Sequence, residues 1–338
     1  MNKRKFVCMF FAIAMVLLLA FGSVSMVSAG KPTRTPTPPA PTTTPGPGFP
    51  SRVVAPYVEA WSVTNLANIA TATGQKYFSM AFILGKSGCT PTWNGSQTMD
   101  QGYYMTEINN LRTVGGDVAF SFGGASGSEL AQVCSSAASL QAAYQKVINT
   151  YALKWLDFDI EGNAVSASAS VDLRNKALAA LEAANPGLKV SYTLGVMPNG
   201  LPPAQLNVLL NAKANSVRVD VVNIMAMDYG SAYSGDMGQY AIQAAQATEA
   251  QLVNNGILAS VGICPMIGQN DSNGEVFSLA DASELVTWAQ PTGYVTELSF
   301  WAADRDNGTC PGKARASNNC SGLTQNPFEF TNIFKTLH

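Results

Sequence analysis

The stretch Trp155-Leu156-Asp157-Phe158-Asp159-Ile160-Glu161-Gly162 sets an acid on every second residue from Asp157 and an apolar residue between each pair. A strand repeats every two residues, so Asp157, Asp159 and Glu161 share one face while Leu156, Phe158 and Ile160 share the other. Three carboxylates on one face repel one another and resist losing water, so packing alone does not select them. Gly162 then ends the strand and leaves Glu161 at its C-terminal tip. The apolar partners argue against a solvated edge strand. An acidic metal site lacks supporting ligands, because the only histidine is the C-terminal His338 and the cysteines lack ligand spacing. The pattern reads as a catalytic strand.

Outward from this strand, short apolar runs alternate with longer amphipathic ones. Strands are predicted at Arg52–Val58, Tyr77–Leu84, Val118–Phe122, Leu153–Ile160, Lys189–Leu194, Val217–Met227, Leu258–Cys264 and Val295–Trp301. Helices between them include Val171–Ala184, closed by Asn185-Pro186-Gly187, and Ala204–Ala214, which starts just after Pro202 and Pro203. Ser278–Ala289 and Asn326–Leu337 fit the last two helices. Strands alternating with helices imply parallel pairing through helical crossovers. Eight such units over residues 51–338 favour an α/β fold of the closed (β/α)8 TIM-barrel type, as a single domain. An open doubly wound sheet is the rival, but no Gly-rich phosphate loop follows the first strand.

In such a barrel the site lies at the C-terminal strand ends. That rim collects Tyr57, Glu59 and Trp61 from the first strand and Ser121-Phe122-Gly123-Gly124 from the third, beside the acids of the fourth. The fifth gives Met197, and the sixth gives Met225, Met227, Asp228 and Tyr229. The seventh runs into Met266, Gln269, Asn270 and Asp271, and the eighth ends at Trp301. Aromatics and carboxylates at one rim suit sugar rings, whose C–H faces stack on aromatics while their hydroxyls bond to acids and amides.

The N-terminus differs from the rest. Lys3, Arg4 and Lys5 precede an apolar run from Phe6 to Phe21, and Val27-Ser28-Ala29 offers small residues for cleavage. Residues 1–29 therefore read as a secretory signal peptide, with an uncleaved membrane anchor as the rival. Residues 30–50, rich in Pro and Thr, read as an extended tether. Charged residues make up 12% of the chain at a net charge of −2, with no basic run beyond Lys3-Arg4-Lys5, which disfavours nucleic acid and anionic membranes as partners. A secreted chain permits disulfides. Cys310 and Cys320 flank a polar loop and would close it as a disulfide, Cys89 and Cys134 both follow predicted strands at one end of the molecule and make a second bridge, and Cys264 ends an apolar run as a buried free thiol.

These residues resemble the family 18 glycoside hydrolases, the chitinases. Asp157 to Glu161 match the last five positions of that family's Asp-Gly-x-Asp-x-Asp-x-Glu signature, while Lys154 and Trp155 replace its opening Asp-Gly. Ser121, Gly123 and Gly124 match the third-strand Ser-x-Gly-Gly. Met225-Ala226-Met227-Asp228-Tyr229-Gly230 looks like the variant found in bacterial chitinases related to the D type. It departs from the common Met-x-Tyr-Asp, putting Met227 where the aromatic stands.

The resemblance implies a substrate-assisted, retaining hydrolase of β-1,4-N-acetylglucosamine polymers that works without cofactor or metal. Glu161 would be the proton donor, Asp159 the acetamide partner, and Asp157 would share a proton or hydrogen bond with Asp159. Tyr229 would bond the acetamido oxygen, provided the sixth strand runs on far enough to point it inward. Trp301 would floor the reacting sugar, with Asp271, Asp228, Met225, Tyr57 and Gly124 as further substrate contacts. The stretch between the seventh and eighth strands is too short for the α+β module that some chitinases carry there, which suggests a shallow cleft and cutting within the chain. The expected partners are chitin or chito-oligosaccharides, acted on by a secreted monomer with no stable membrane association after cleavage of the leader. An endo-β-N-acetylglucosaminidase and a non-catalytic chitin-binding lectin are the alternatives, and the intact Glu161 argues against the second.

Overall fold

The computed structural model describes residues 43–61 and 66–338. The expected leader and the first part of the tether lie outside the described residues. In chain order the strands are β1 (Val53–Val54), β2 (Tyr57–Glu59), β3 (Tyr77–Lys86), β4 (Thr90–Trp93), β5 (Gln97–Thr98), β6 (Asp117–Gly123) and β7 (Trp155–Ile160). They continue as β8 (Lys189–Gly195), β9 (Val221–Ala226), β10 (Ser260–Pro265), β11 (Gly268–Gln269), β12 (Val276–Phe277) and β13 (Val295–Leu298). The helices are α1 (Leu66–Thr73), α2 (Met105–Thr113), α3 (Leu130–Val133), α4 (Ala137–Tyr151) and α5 (Asn163–Ser166). After them come α6 (Ser168–Ala184), α7 (Pro203–Ala214), α8 (Met237–Asn254), α9 (Leu279–Ala289) and α10 (Glu329–Phe334). None of the described helices is long and apolar enough to cross a membrane.

One sheet carries the order β1-β13-β10-β9-β8-β7-β6-β3-β4-β5, with β2 also paired to β3. Its central ladders are parallel, and helices cross between them, as the alternation of the sequence implies. The predicted first strand is two pieces interrupted at Pro56, whose ring removes a backbone donor. On one side of it Ala55 N donates to Leu298 O at 2.9 Å and Tyr57 N to Phe300 O at 3.1 Å. On the other side Ser79 N donates to Pro56 O at 3.0 Å.

Local chemistry explains several boundaries. Pro203 opens α7, where its missing N–H costs nothing. Ser278 caps α9 by accepting from Asp281 N at 3.2 Å, and the Asp281 carboxylate returns the bond to Ser278 N. Between β10 and β13 the chain holds only the β11–β12 hairpin and α9, with no added module.

Alternation along β7 works as the sequence requires. Leu156, Phe158 and Ile160 are fully buried in the main core against the helices, each contributing ~1.5–3 kcal/mol by leaving water. Trp155 sits in a small apolar cluster with Val53, Ala55, Ala119 and Val221, near the strands' N-terminal ends.

The end of the expected tether is docked rather than free. Phe49 lies edge-on to Trp155 with ring centroids 4.9 Å apart, and 5.3 Å from Tyr77. Lys154 Nζ donates to Gly46 O at 2.9 Å, Arg112 Nη1 to Thr44 O at 2.8 Å, and Thr43 Oγ1 to Thr150 O at 2.9 Å. Residues 43–50 thus cover the N-terminal ends of β3 and β7. Pro and Thr there still exclude a core of their own, but their backbone groups and one aromatic ring find partners on the domain.

The expected pairs Cys89–Cys134 and Cys310–Cys320 are both disulfides, and Cys264 is a buried thiol. The first ties the antiparallel extension β4–β5 to α3; this extension the sequence did not reveal.

Candidate active site

At the C-terminal ends of the strands lies a cavity of about 580 Å³, within the roughly 300–1,000 Å³ usual for small-ligand sites. Asp159 and Glu161 line it together with Tyr57, Thr193, Met225, Met227, Asp228, Asp271 and Trp301. A second cavity of about 480 Å³ shares Asp159 and Glu161, and is otherwise walled by the loops after β6 and β7.

Asp157 sits deepest. Its Oδ2 accepts from Ser121 Oγ at 2.7 Å and Tyr57 Oη at 2.8 Å; its Oδ1 accepts from Ser191 Oγ at 2.6 Å and Thr193 Oγ1 at 2.9 Å. The donors come from β6, β2 and β8. Ser191 in turn accepts from Trp155 Nε1 at 2.9 Å, and Thr193 from Asn223 Nδ2 at 3.0 Å. Burial raises the Asp157 pKa, and the four hydroxyls work against that rise by favouring the charged form.

Asp159, two residues on, has no comparable cage. Its Oδ1 meets no hydrogen-bond partner among the described residues. Burial, then the charges of Glu161 and Asp157, hold its pKa well above the ordinary carboxylate value. Both acids are raised, Asp159 the more strongly, and they titrate as coupled groups. The direct hydrogen bond expected between the two acids is replaced by the hydroxyl cage; what couples them is charge.

Glu161 is half-buried at the strand tip. Burial, and next the charge of Asp228, raise its pKa. That charge reaches the rim from the end of β9. Asp228 adopts a left-handed backbone with φ of 51° and accepts from Ser272 N at 2.7 Å.

That turn corrects the placement of Tyr229. β9 ends at Ala226, so the two-residue alternation that carries Met225 and Met227 inward stops before Tyr229. Glu275 accepts from the backbone N–H groups of Tyr229 at 3.1 Å and Gly230 at 2.6 Å. The Tyr229 ring then packs with Tyr233 and Tyr240, at 5.7 and 6.2 Å, in the main core and outside the cavity lining. Its hydroxyl has no partner among the described residues. Met227, not Tyr229, faces the cavity.

Trp301 does line the cavity, stacked on Phe82 at 5.6 Å and 11°. Its backbone is held to Pro265 O at 2.9 Å and by Ile267 N at 3.1 Å, beyond the end of β13. Gly124 lines the second cavity rather than the first. Its φ is 90°, and a Cβ would meet the Phe82 ring at 2.7 Å. At Gly123 a Cβ would lie 2.1 Å from Asp159 O. Both glycines let the loop after β6 close on β7, where Gly124 N donates to Asp159 O at 2.9 Å.

Phe82, Asn94, Cys264 and Asn318 also line the cavity and were not singled out as substrate contacts from sequence. Asn94 follows the unforeseen β4, and Asn318 lies far along the chain in an irregular loop; neither position carries a periodic signal. Among the described residues, the acids whose oxygens converge closely enough for a cation are Asp236, Asp281 and Glu284, near the starts of α8 and α9. None of them lines the cavity.

Comparison with known proteins agrees with this geometry. Residues 53–311 match the family model "Glycosyl hydrolases family 18". The chain is similar to the catalytic domain of a hyperthermophilic chitinase from Pyrococcus furiosus, with a TM-score of 0.77 and 34% identity, covering 86% of this chain and 96% of that one. It is 34% identical over 312 residues to a "Probable bifunctional chitinase/lysozyme" of Escherichia coli, across 85% of this chain and 34% of that protein. It is 33% identical over 279 residues to "Endochitinase 11" of Metarhizium anisopliae, across 76% of this chain and 53% of that protein. The chain therefore spans about a third and about a half of the lengths of these two curated relatives. By the extent of the family match, with the strand-end acids in place, the chain belongs to glycosyl hydrolase family 18.

Proposed function

We propose that the protein is a secreted chitinase of the D-type-like group that cleaves β-1,4-N-acetylglucosamine linkages with retention of configuration. The observation that carries this is the cavity in which Asp159 and the half-buried Glu161 face a Trp301 floor, with Asp157 caged beneath them. In this reading Glu161, whose pKa burial and Asp228 raise, donates its proton to the glycosidic oxygen. The acetamido oxygen of the sugar attacks its own anomeric carbon, so the nucleophile belongs to the substrate. Asp159 holds the acetamido N–H and balances the oxazolinium charge. Glu161 then acts as base while water opens that ring. Tyr229 has no role in this scheme.

The scaffold is read as a closed (β/α)8 barrel. Backbone hydrogen bonds on both sides of residues 53–59, to the segment after β13 and from β3, support closure through the interrupted first strand. The similarity to the named chitinases supports the substrate class, the basic-apolar N-terminus supports export, and the open span between β10 and β13 supports attack within the chain.

The test is Glu161→Gln on an acetylated chito-oligosaccharide, with the first anomer of the wild-type product followed by NMR. Loss of the general acid lowers kcat by about 10²–10⁴-fold, and the first wild-type product is the β-anomer. Full activity in the variant or an α-anomer sinks the mechanism. A high-mannose glycopeptide run alongside tests the endo-β-N-acetylglucosaminidase alternative.

A further inference from the structure

Arg305 closes the short 3₁₀ turn Ala303–Arg305 that follows Trp301, and the chemistry above gives it no part. It is fully buried, where a cation is costly unless its donors and its charge are met. Burial lowers its pKa to about 10, while Asp271, Glu59 and Asp228 oppose the fall, so it is charged at neutral pH. Its fork is spent on backbone carbonyls. Nη1 donates to Ser317 O at 2.9 Å, and Nη2 donates to Ile267 O at 2.8 Å and to Gln269 O at 2.5 Å.

These carbonyls belong to two segments far apart in sequence, and both segments reach the larger cavity. Ile267 and Gln269 stand between Met266 and Asp271, which line it, and Ser317 immediately precedes Asn318, which also lines it. Asn318 is bracketed: Arg305 holds the carbonyl before it, and Asn307 Nδ2 holds the one after it, donating to Asn319 O at 2.8 Å. The next residue is Cys320, tied to Cys310. The two segments also meet edge to edge. Gln269 N donates to Ser321 O at 2.8 Å, and a Cβ on Gly268 would lie 2.0 Å from that same oxygen. Residues 314–320 have no strand ladder of their own, so a planar fork with fixed donor directions is what spaces the two walls.

Resting on the chitinase reading, we infer that Arg305 is a positioning residue: its guanidinium clamps the carbonyls of Ile267 and Gln269 to that of Ser317, and so holds Asp271 and Asn318 at the spacing that receives the N-acetylhexosamine chain. The two side chains offer what a neutral sugar needs, a carboxylate that accepts from hydroxyls and an amide that both donates and accepts. Arg305 does not line the cavity and touches no sugar itself. Its loss therefore weakens substrate and transition state alike and leaves proton transfer at Glu161 unchanged.

The test is Arg305→Lys, which keeps the charge and loses the fork, assayed on chito-oligosaccharides. KM rises about tenfold with kcat held within about twofold. In protein already carrying Asp271→Ala and Asn318→Ala, the same change moves KM by less than about twofold, because the side chains it positions are gone. A fall in kcat at unchanged KM, or the full rise in the substituted background, overturns the inference. Amide hydrogen exchange across residues 266–271 and 316–321 quickens in Arg305→Lys while that of β7 does not; equal protection of the two segments before and after the change also overturns it. Wild type that hydrolyses no chito-oligosaccharide refutes the chitinase reading alone, and the exchange measurement still decides the clamp. Where Arg305→Lys fails to fold, Asn307→Ala, which frees the carbonyl on the other side of Asn318, decides instead, and an unchanged KM there overturns the inference.

Discussion

Tyr229→Phe separates the reading of the loop after β9 from what the sequence alone suggested. A tyrosine that bonds the acetamido oxygen as charge develops acts like an oxyanion-hole donor, and its loss costs about 10²–10³-fold in kcat. In the structure the Tyr229 hydroxyl is buried among Tyr233 and Tyr240, outside the cavity lining and without a partner among the described residues. Leaving a polar group buried and unmade costs ~1–3 kcal/mol, so deleting it returns part of that penalty. A gain of about 1 kcal/mol moves the midpoint of a domain this size up by roughly 2 °C. The expected variant therefore keeps kcat/KM on chito-oligosaccharides within about twofold and unfolds slightly later. Initial-rate kinetics with calorimetric unfolding measure both. A hundredfold fall in kcat at an undiminished midpoint would refute the argument, because only a hydroxyl at the reacting sugar does that.

Two further predictions concern stability. Phe49→Ala removes a half-buried ring from Trp155 and Tyr77 and is expected to cost about 2 kcal/mol; urea unfolding reads the loss, and no change would mean that residues 43–50 do not dock as described. Glu59 has its pKa raised from 4.5 to about 7, chiefly by burial and then by Asp304. Its folded value exceeds the unfolded one, so its contribution is fully present below pH 4.5 and is lost as pH rises through about 7. The thermal midpoint of wild type should fall across that window, and Glu59→Gln should flatten the fall; an equally steep variant would remove Glu59 as the cause.

Much of this was legible before any coordinates, for identifiable reasons. The alternation of β7 is local, so Asp157, Asp159 and Glu161 could be set on one face from spacing alone. Repeated apolar runs between helical segments gave the parallel order, because such pairing requires crossovers. Strand ends were harder. The sixth predicted strand ran to Met227, whereas β9 stops at Ala226 and the left-handed turn at Asp228 then sends Tyr229 into the core rather than toward the sugar. The antiparallel extension β4–β5 was invisible, since Pro91 and Asn94-Gly95 read as loop chemistry and only pairing with β3 makes them strand. Nor does anything local foretell the cis bonds at Ala81–Phe82 and Trp301–Ala302.

The sequence by itself determined which face of β7 carries the acids, which end of that strand they crowd, and that packing could not account for them. These follow from a two-residue period and the cost of burying charge. Only the tertiary structure decided how the acids differ. Four hydroxyls drawn from three other strands favour the charged form of Asp157, Asp159 lacks such a cage and is raised further, and Asp228 rather than Asp157 is the charge that raises Glu161. A carboxylate's pKa is set by what surrounds it within a few ångströms, and here those groups lie 30 or more residues away along the chain.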